Sequence, residues 1–177
     1  VCDDTLKIVF SLIENSTTPL VLDADALNCV AKQPEILLRK KAPIIITPHP
    51  GEMSRLTGLA TPLVNAERER VALDFAQKYG VVTVLKGAGT VIASPNGKVL
   101  VNPTGNSGMA TGGSGDVLAG MTASILAQGA SAFSSAAAAV YLHGLAGDIA
   151  AEKYGKISML PTDLINCIPL AYKRCDF

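Results

Sequence analysis

The sequence predicts an α/β domain with a mainly parallel sheet flanked by helices, and three observations predict it. Short unbroken apolar runs alternate with segments of helical periodicity, the pattern of strands buried on both faces and joined by helices. Polar and Gly-rich residues collect just after those runs, at the end of the sheet where such folds bind ligands. The most Gly-rich stretch, Asn102 to Gly120 (NPTGNSGMATGGSGDVLAG), lies between a strand-like and a helical segment. A helix that begins behind such a loop presents unpaired N–H groups and its positive dipole end to an anion.

Taken in order, residues 3–15 read as a helix, because Leu6, Val9, Phe10 and Ile13 recur at helical spacing. Pro19 to Asp23 is a short apolar strand ending in an acid. Residues 24–40 hold one or two short helices broken near Pro34. Pro43 to Thr47 is the next buried strand, and Pro48-His-Pro-Gly51 stops it. A helix is expected over Glu52 to Thr57. A longer one runs from about Leu63 to Tyr79, with Val71, Ala72, Phe75, Ala76 and Tyr79 on one face. Val81 to Leu85 is a third buried strand. Thr90–Ser94 and Lys98–Asn102 form a hairpin about Pro95-Asn96-Gly97. After the glycine loop come helices over 116–128 and 131–153, the second Ala-rich and suited to close packing on a neighbour. A last helix starts near Pro161, and Pro169 is expected to kink or interrupt it.

Length and composition suit one domain over residues 1–177: 49% of residues are hydrophobic and 17% charged, which excludes a disordered chain. A formal net charge of zero argues for neither a nucleic acid nor an anionic membrane partner. No apolar run is long enough to span a bilayer. Cys2, Cys29, Cys167 and Cys175 lack metal or CxxC spacing and read as packing residues of a reduced, cytoplasmic protein.

The residues after each strand are the candidates for chemistry. Asp116, in the first turn behind the glycine loop, is either a helix-start carboxylate or a general base beside bound phosphate. Asp23, Asp25 and Asn28 are helix caps and turn formers, or face a hydroxylated substrate or hydrated Mg²⁺. His49, held between two prolines on a post-strand loop, is a ligand contact; Glu52 favours a helix start or orients a metal-bound water. Lys86-Gly-Ala-Gly-Thr90 lacks the order of a Walker A loop. Its Lys86 suits a phosphate as a point charge, and Gly87 and Gly89 let a nucleotide lie against the backbone. His143 and Asp148 read as packing or surface residues.

DADALN (23–28), TPHPGE (47–52), LKGAGT (85–90) and NPTGNSGMATGGSGD (102–116), in this order, resemble the ADP-dependent NAD(P)H-hydrate dehydratases of the ribokinase-like superfamily, in their bacterial form. The resemblance covers nearly the whole chain. It implies a ribokinase-like three-layer fold, of which this chain is the C-terminal portion, the domain being incomplete at its N-terminus. The reaction implied is repair: ADP phosphorylates the C6 hydroxyl of the S epimer of hydrated NADH or NADPH, and loss of phosphate restores the double bond, releasing AMP. Asp116 would be the base, and Gly113, Ser114 and Gly115 would hold the transferred phosphoryl group. Lys86, Gly87, Ala88, Gly89, Thr90, Asn106 and Gly115 would contact the nucleotide. His49, Asp116, Asp25 and Asn28 would contact the hydrated nicotinamide. Mg²⁺ is implied as cofactor, and a homo-oligomer, a tetramer, as the assembly. The family's N-terminal strands and Gly-rich segment have no match here, so the piece is expected to leave a sheet edge and one wall of the site open. The competing readings are an ATP-dependent small-molecule kinase of the same superfamily and a non-catalytic nucleotide-binding module.

Overall fold

The computed structural model describes residues 2–175. Helix α1 (Asp3–Asn15) leads into β1 (Leu20–Leu22), α2 (Asp25–Val30) and a 3₁₀ segment over Pro34–Arg39. Strand β2 (Ile44–Ile46) is followed by α3 (Pro50–Thr57), α4 (Thr61–Ala66) and α5 (Arg68–Tyr79). Then come β3 (Val82–Leu85), β4 (Val91–Ala93) and β5 (Val99–Val101), a 3₁₀ turn at Ser107–Met109, and the helices α6 (Ser114–Ala127), α7 (Ala132–Tyr154) and α8 (Pro161–Arg174).

The five strands lie in the order of the chain. Strands β1, β2 and β3 pair in parallel, Val21 opposite Ile45 and Ile45 opposite Val82. The expected hairpin adds β4 antiparallel to β3 and β5 antiparallel to β4. Four of the five strands therefore point the same way, and their carboxyl ends share one edge.

Alternation along the strands divides the interior in two. Ile44 and Ile46 join Val9, Ile13, Leu27, Leu37, Met53 and Phe75 in the core under α1–α5. Ile45, with Val82, Val84 and Ile92, joins Leu118, Ala139, Ala146 and Leu164 in the core under α6–α8. Ile44, Ile45 and Ile46 are all buried, which is why this strand reads as an unbroken apolar run. The result is the three-layer α/β/α arrangement that the sequence predicts.

Two expectations need correction. The helix expected from 63 to 79 is two helices, because Glu67 (φ −126°, ψ 43°) breaks it. Val64 and Val71 keep one phase across the break and both are buried, so periodicity alone cannot reveal it. The break places Arg68 first in α5, where its guanidinium donates to the carbonyl of Leu85 at 2.8 Å. Pro169 does not interrupt α8, which continues to Arg174. Only the Ile165 carbonyl loses its helical partner to the missing N–H, and Ile165 is half exposed. Packing of α8 along α7, the most extensive contact between elements, carries the helix across.

The Ala-rich α7 uses its small residues inside the chain: Ala136, Ala139, Ala146 and Ala150 are fully buried against α6, α8 and the sheet. Cys2, Cys29, Cys167 and Cys175 are all free. No helix among the described residues is long and apolar enough to cross a membrane.

Candidate active site

The exits of β1, β2 and β3 converge on one charged cluster. Lys86, just past β3, has its backbone N–H bonded to the Pro48 carbonyl at 2.8 Å. Its Nζ donates to Asp23 Oδ1 at 2.7 Å, just past β1, and lies 3.9 Å from Glu52 Oε2 in α3. Both carboxylates are largely buried, Asp23 with 13% and Glu52 with 6% of its side chain exposed. Burial of opposite charges is tolerated only when they are paired in this way.

Glu52 has a second task. His49 is the N-cap of α3: its Nδ1 accepts from the backbone N–H groups of Gly51 and Glu52, while Glu52 Oε2 accepts from the His49 N–H at 2.8 Å. This capping box locks the loop. With Nδ1 accepting, the neutral ring carries its proton on Nε2, 3.6 Å from Glu52 Oε1, and half of the side chain remains exposed. Both readings of Glu52 thus have a structural counterpart, a helix cap and a member of the charged cluster.

The glycine loop brings the start of α6 over this cluster. Gly113 caps α6 at φ 96°, a left-handed conformation that favours glycine. A Cβ built on Gly115 would lie 3.4 Å from Lys86 Nζ and 3.7 Å from Asp23 Oδ2. The first turn of α6, with its free N–H groups, therefore stands directly beside the Lys86 ammonium. Ser114 is buried, and its carbonyl accepts from His143 Nε2 of α7 at 3.0 Å. Asp116, one residue beyond Gly115, is exposed and has no hydrogen-bonding or ionic partner among the described residues.

Asn106 and Asp148 fasten the loop. Asn106 Nδ2 donates to the Gly147 carbonyl and to Asp148 Oδ1, its Oδ1 accepts from Gly108 N–H, and Gly105 N–H reaches Asp148 Oδ2 at 2.9 Å. Asp148 and His143, expected as packing or surface residues, are structural: His143 is buried, and both hold the glycine loop against α7. The only hint was their place on the helix after it. Asp25 and Asn28, in the first turn of α2, bond to one another, Asn28 Nδ2 donating to Asp25 Oδ1 at 3.2 Å, and to no member of the cluster among the described residues. Between Asp23 and Asp25 sits Ala24 at φ 48°, ψ −118°, the one non-glycine residue with positive φ among those described. Strain of this kind concentrates at functional sites.

Two open clefts are lined in part by the loop after β3 and by α6. One, about 440 Å³, is lined by Ala88, Gly89, Val91, Val101 and the α4–α5 corner including Arg68. The other, about 510 Å³, is lined by Asp116, Val117, Met121, Ile165, Ile168 and Tyr172. Asp116 of the second cleft directly follows Gly115, whose place at the start of α6 faces the Lys86 ammonium. Arg68 is the residue that sequence reasoning missed. Its guanidinium lies 3.0 Å from where a Gly87 Cβ would stand, desolvation lowers its pKa, and its buried Nε has no hydrogen-bond partner among the described residues. Thr90 closes the loop by donating to the Gly87 carbonyl at 3.0 Å.

No three metal-ligating side chains come together among the described residues. The donor set fits Mg²⁺ carried on nucleotide phosphates, with Asp23 and Glu52 as the carboxylates nearby, better than a protein cage.

The chain matches known proteins over nearly its full length. A bifunctional NAD(P)H-hydrate repair enzyme of Moorella thermoacetica is 43% identical over 172 residues, 97% of this chain and 32% of that protein. An ADP-dependent (S)-NAD(P)H-hydrate dehydratase of Neisseria meningitidis is 44% identical over 146 residues, 81% of this chain and 49% of that protein. A crystal structure of the Bacillus subtilis ADP/ATP-dependent NAD(P)H-hydrate dehydratase, grown with ATP and Mg²⁺, superposes with a TM-score of 0.83 at 36% identity, covering 92% of this chain and 57% of that one. The chain thus spans between a third and about half of the length of these relatives. A sequence model of the NAD(P)H-hydrate dehydratases matches residues 2–170, and to that family this chain belongs.

Proposed function

We propose that this chain carries the site for ADP-dependent dehydration of the S epimer of hydrated NADH and NADPH. The observation that carries the reading is the Lys86 ammonium, paired with Asp23, standing against the glycine-loop start of α6 one residue before Asp116. AMP would lie along Gly87 to Thr90, the transferred phosphoryl group at Gly113–Gly115, and the nicotinamide beside Asp116 and His49. Mg²⁺ bound with the nucleotide would offset phosphate charge.

Asp116 would take the proton of the C6 hydroxyl as its oxygen attacks the terminal phosphorus of ADP, and AMP would leave with the bond's electron pair. The N–H groups at the start of α6 would stabilise the charge on the phosphoryl oxygens. Loss of the new phosphate from C6 and of a proton from C5 would then restore the ring double bond. Apolar Val117, Met121, Ile168 and Tyr172 beside Asp116 suit the carbon face of the hydrated ring. A homo-oligomer belongs to the same reading, and sedimentation of the purified protein checks it.

The test is to supply hydrated NADH, Mg²⁺ and either ADP or ATP and follow the return of NADH absorbance. Return with ADP is expected, and Asp116→Asn should slow it by about 10²–10⁴-fold. A phosphorylated product that accumulates without elimination would favour the kinase. ADP binding without any turnover would favour a binding module.

A further inference from the structure

We propose that the Lys86 side chain serves the transferred phosphoryl group rather than the AMP part of the nucleotide, and that Asp23 is the residue that positions it there. This rests on the dehydratase reading above and deepens it, by dividing the Lys86–Thr90 loop into a backbone that meets AMP and a side chain that meets the reacting phosphate.

Three observations carry it. The Lys86 ammonium is drawn toward the β1 and β2 exits by Asp23 Oδ1 at 2.7 Å and Glu52 Oε2 at 3.9 Å. Its Nζ lies 3.4 Å from where a methyl on Gly115 would stand, so only a glycine's width separates it from the first turn of α6. The same loop already meets another cation: the Arg68 guanidinium lies 3.0 Å from where a methyl on Gly87 would stand and lines the cleft beside Ala88 and Gly89. Lys86 thus faces the start of α6, while Arg68 and Arg70 line the outer cleft beside Ala88 and Gly89.

The geometry also explains Asp23. A lysine is a flexible point charge with several rotamers, and one that must meet a moving phosphoryl group needs an anchor. Asp23 is largely buried, and it is followed by Ala24 in a strained conformation. Two buried carboxylates around one ammonium leave a net negative charge, so the cation stays while its remaining N–H groups are free to donate. In the transfer step the oxygen–phosphorus bond to C6–O forms and the bond to the AMP oxygen breaks. Lys86 would donate hydrogen bonds to the non-bridging oxygens throughout and exchange no proton.

The test compares AMP and ADP binding, with Mg²⁺, by calorimetry in the full-length wild-type protein, Lys86→Met and Asp23→Asn, alongside kcat and KM for hydrated NADH. The Asp23→Asn substitution retains a hydrogen-bond acceptor at nearly the same volume, so it guards against misfolding of the Lys86 variant, which leaves two carboxylates unpaired. The expected result is AMP affinity unchanged within about twofold, ADP affinity reduced about tenfold or more, and kcat lowered about 10²–10³-fold in Lys86→Met, the cost of one oxyanion-hole donor. Asp23→Asn should move the same quantities in the same direction by less, with KM for the hydrate unmoved. AMP and ADP affinities that fall together would assign Lys86 to the AMP part and overturn the proposal. Unchanged ADP affinity and kcat would make the pair structural and overturn it equally. The binding comparison needs no turnover, so a wild-type protein that fails to restore NADH would sink the dehydratase reading while AMP and ADP still decide the place of Lys86.

Discussion

His143 donates from Nε2 to the Ser114 carbonyl, and burial holds its pKa down at about 4, with a smaller push from the Lys86 charge. The unfolded chain titrates this histidine near 6.5, so below that value the unfolded state takes up a proton that the native state refuses. Its contribution is fully present above pH 6.5 and is lost as pH falls toward 4. Between pH 7.5 and 5 the loss should be about 2 kcal/mol. Urea unfolding at the two pH values measures it, and a His143→Gln variant should show a flatter profile. Gly115 supports a second expectation. Its φ is unstrained and an added methyl meets Lys86 and Asp23 at ordinary contact distance, so Gly115→Ala should fold with near-normal stability yet lose activity, because the methyl fills the space beside the ammonium. The helix start behind the glycine loop, with Asp116 in its first turn, was legible because loop and helix are contiguous. The Asp23–Lys86 pair was not, since its members are 63 positions apart.

At the scale of elements, the glycine loop and α7 form one unit. A Cβ on Gly144 would stand 2.1 Å from Thr104 Oγ1 and 2.8 Å from the Thr104 backbone, whereas the nearest atoms to one on Gly147 belong to the flexible Met109 side chain. Gly144→Ala should therefore displace the loop and cost about 1–3 kcal/mol, more than Gly147→Ala. Thermal unfolding of the two variants decides the order. Pro169→Ala should restore a helical hydrogen bond to the Ile165 carbonyl and stabilise α8 by about 1–3 kcal/mol; a lower midpoint in denaturant would show that the proline instead suits its surroundings. Element types followed from periodicity, and the hairpin from its Asn-Gly turn. The break at Glu67 escaped because it does not alter the apolar phase on either side.

For the whole molecule, the charged cluster and the start of α6 lie at one end of one sheet, so a ligand that bridges them should stabilise the fold. ADP with Mg²⁺ at a hundredfold excess over its Kd should add about 2.7 kcal/mol, read as a rise in Tm that AMP matches only in part. The sequence by itself determined the layer architecture, the strand direction and the end of the sheet at which chemistry collects, because each depends on local alternation, helical phase and glycine placement. It also determined family, through four motifs in a set order. Only the tertiary structure decided which charges meet. Lys86 reaches across to Asp23, Arg68 turns under Gly87, and Asp148 and His143 fasten the loop from α7. Such contacts join residues that are distant along the chain, and their partners are chosen by packing, which no local pattern encodes.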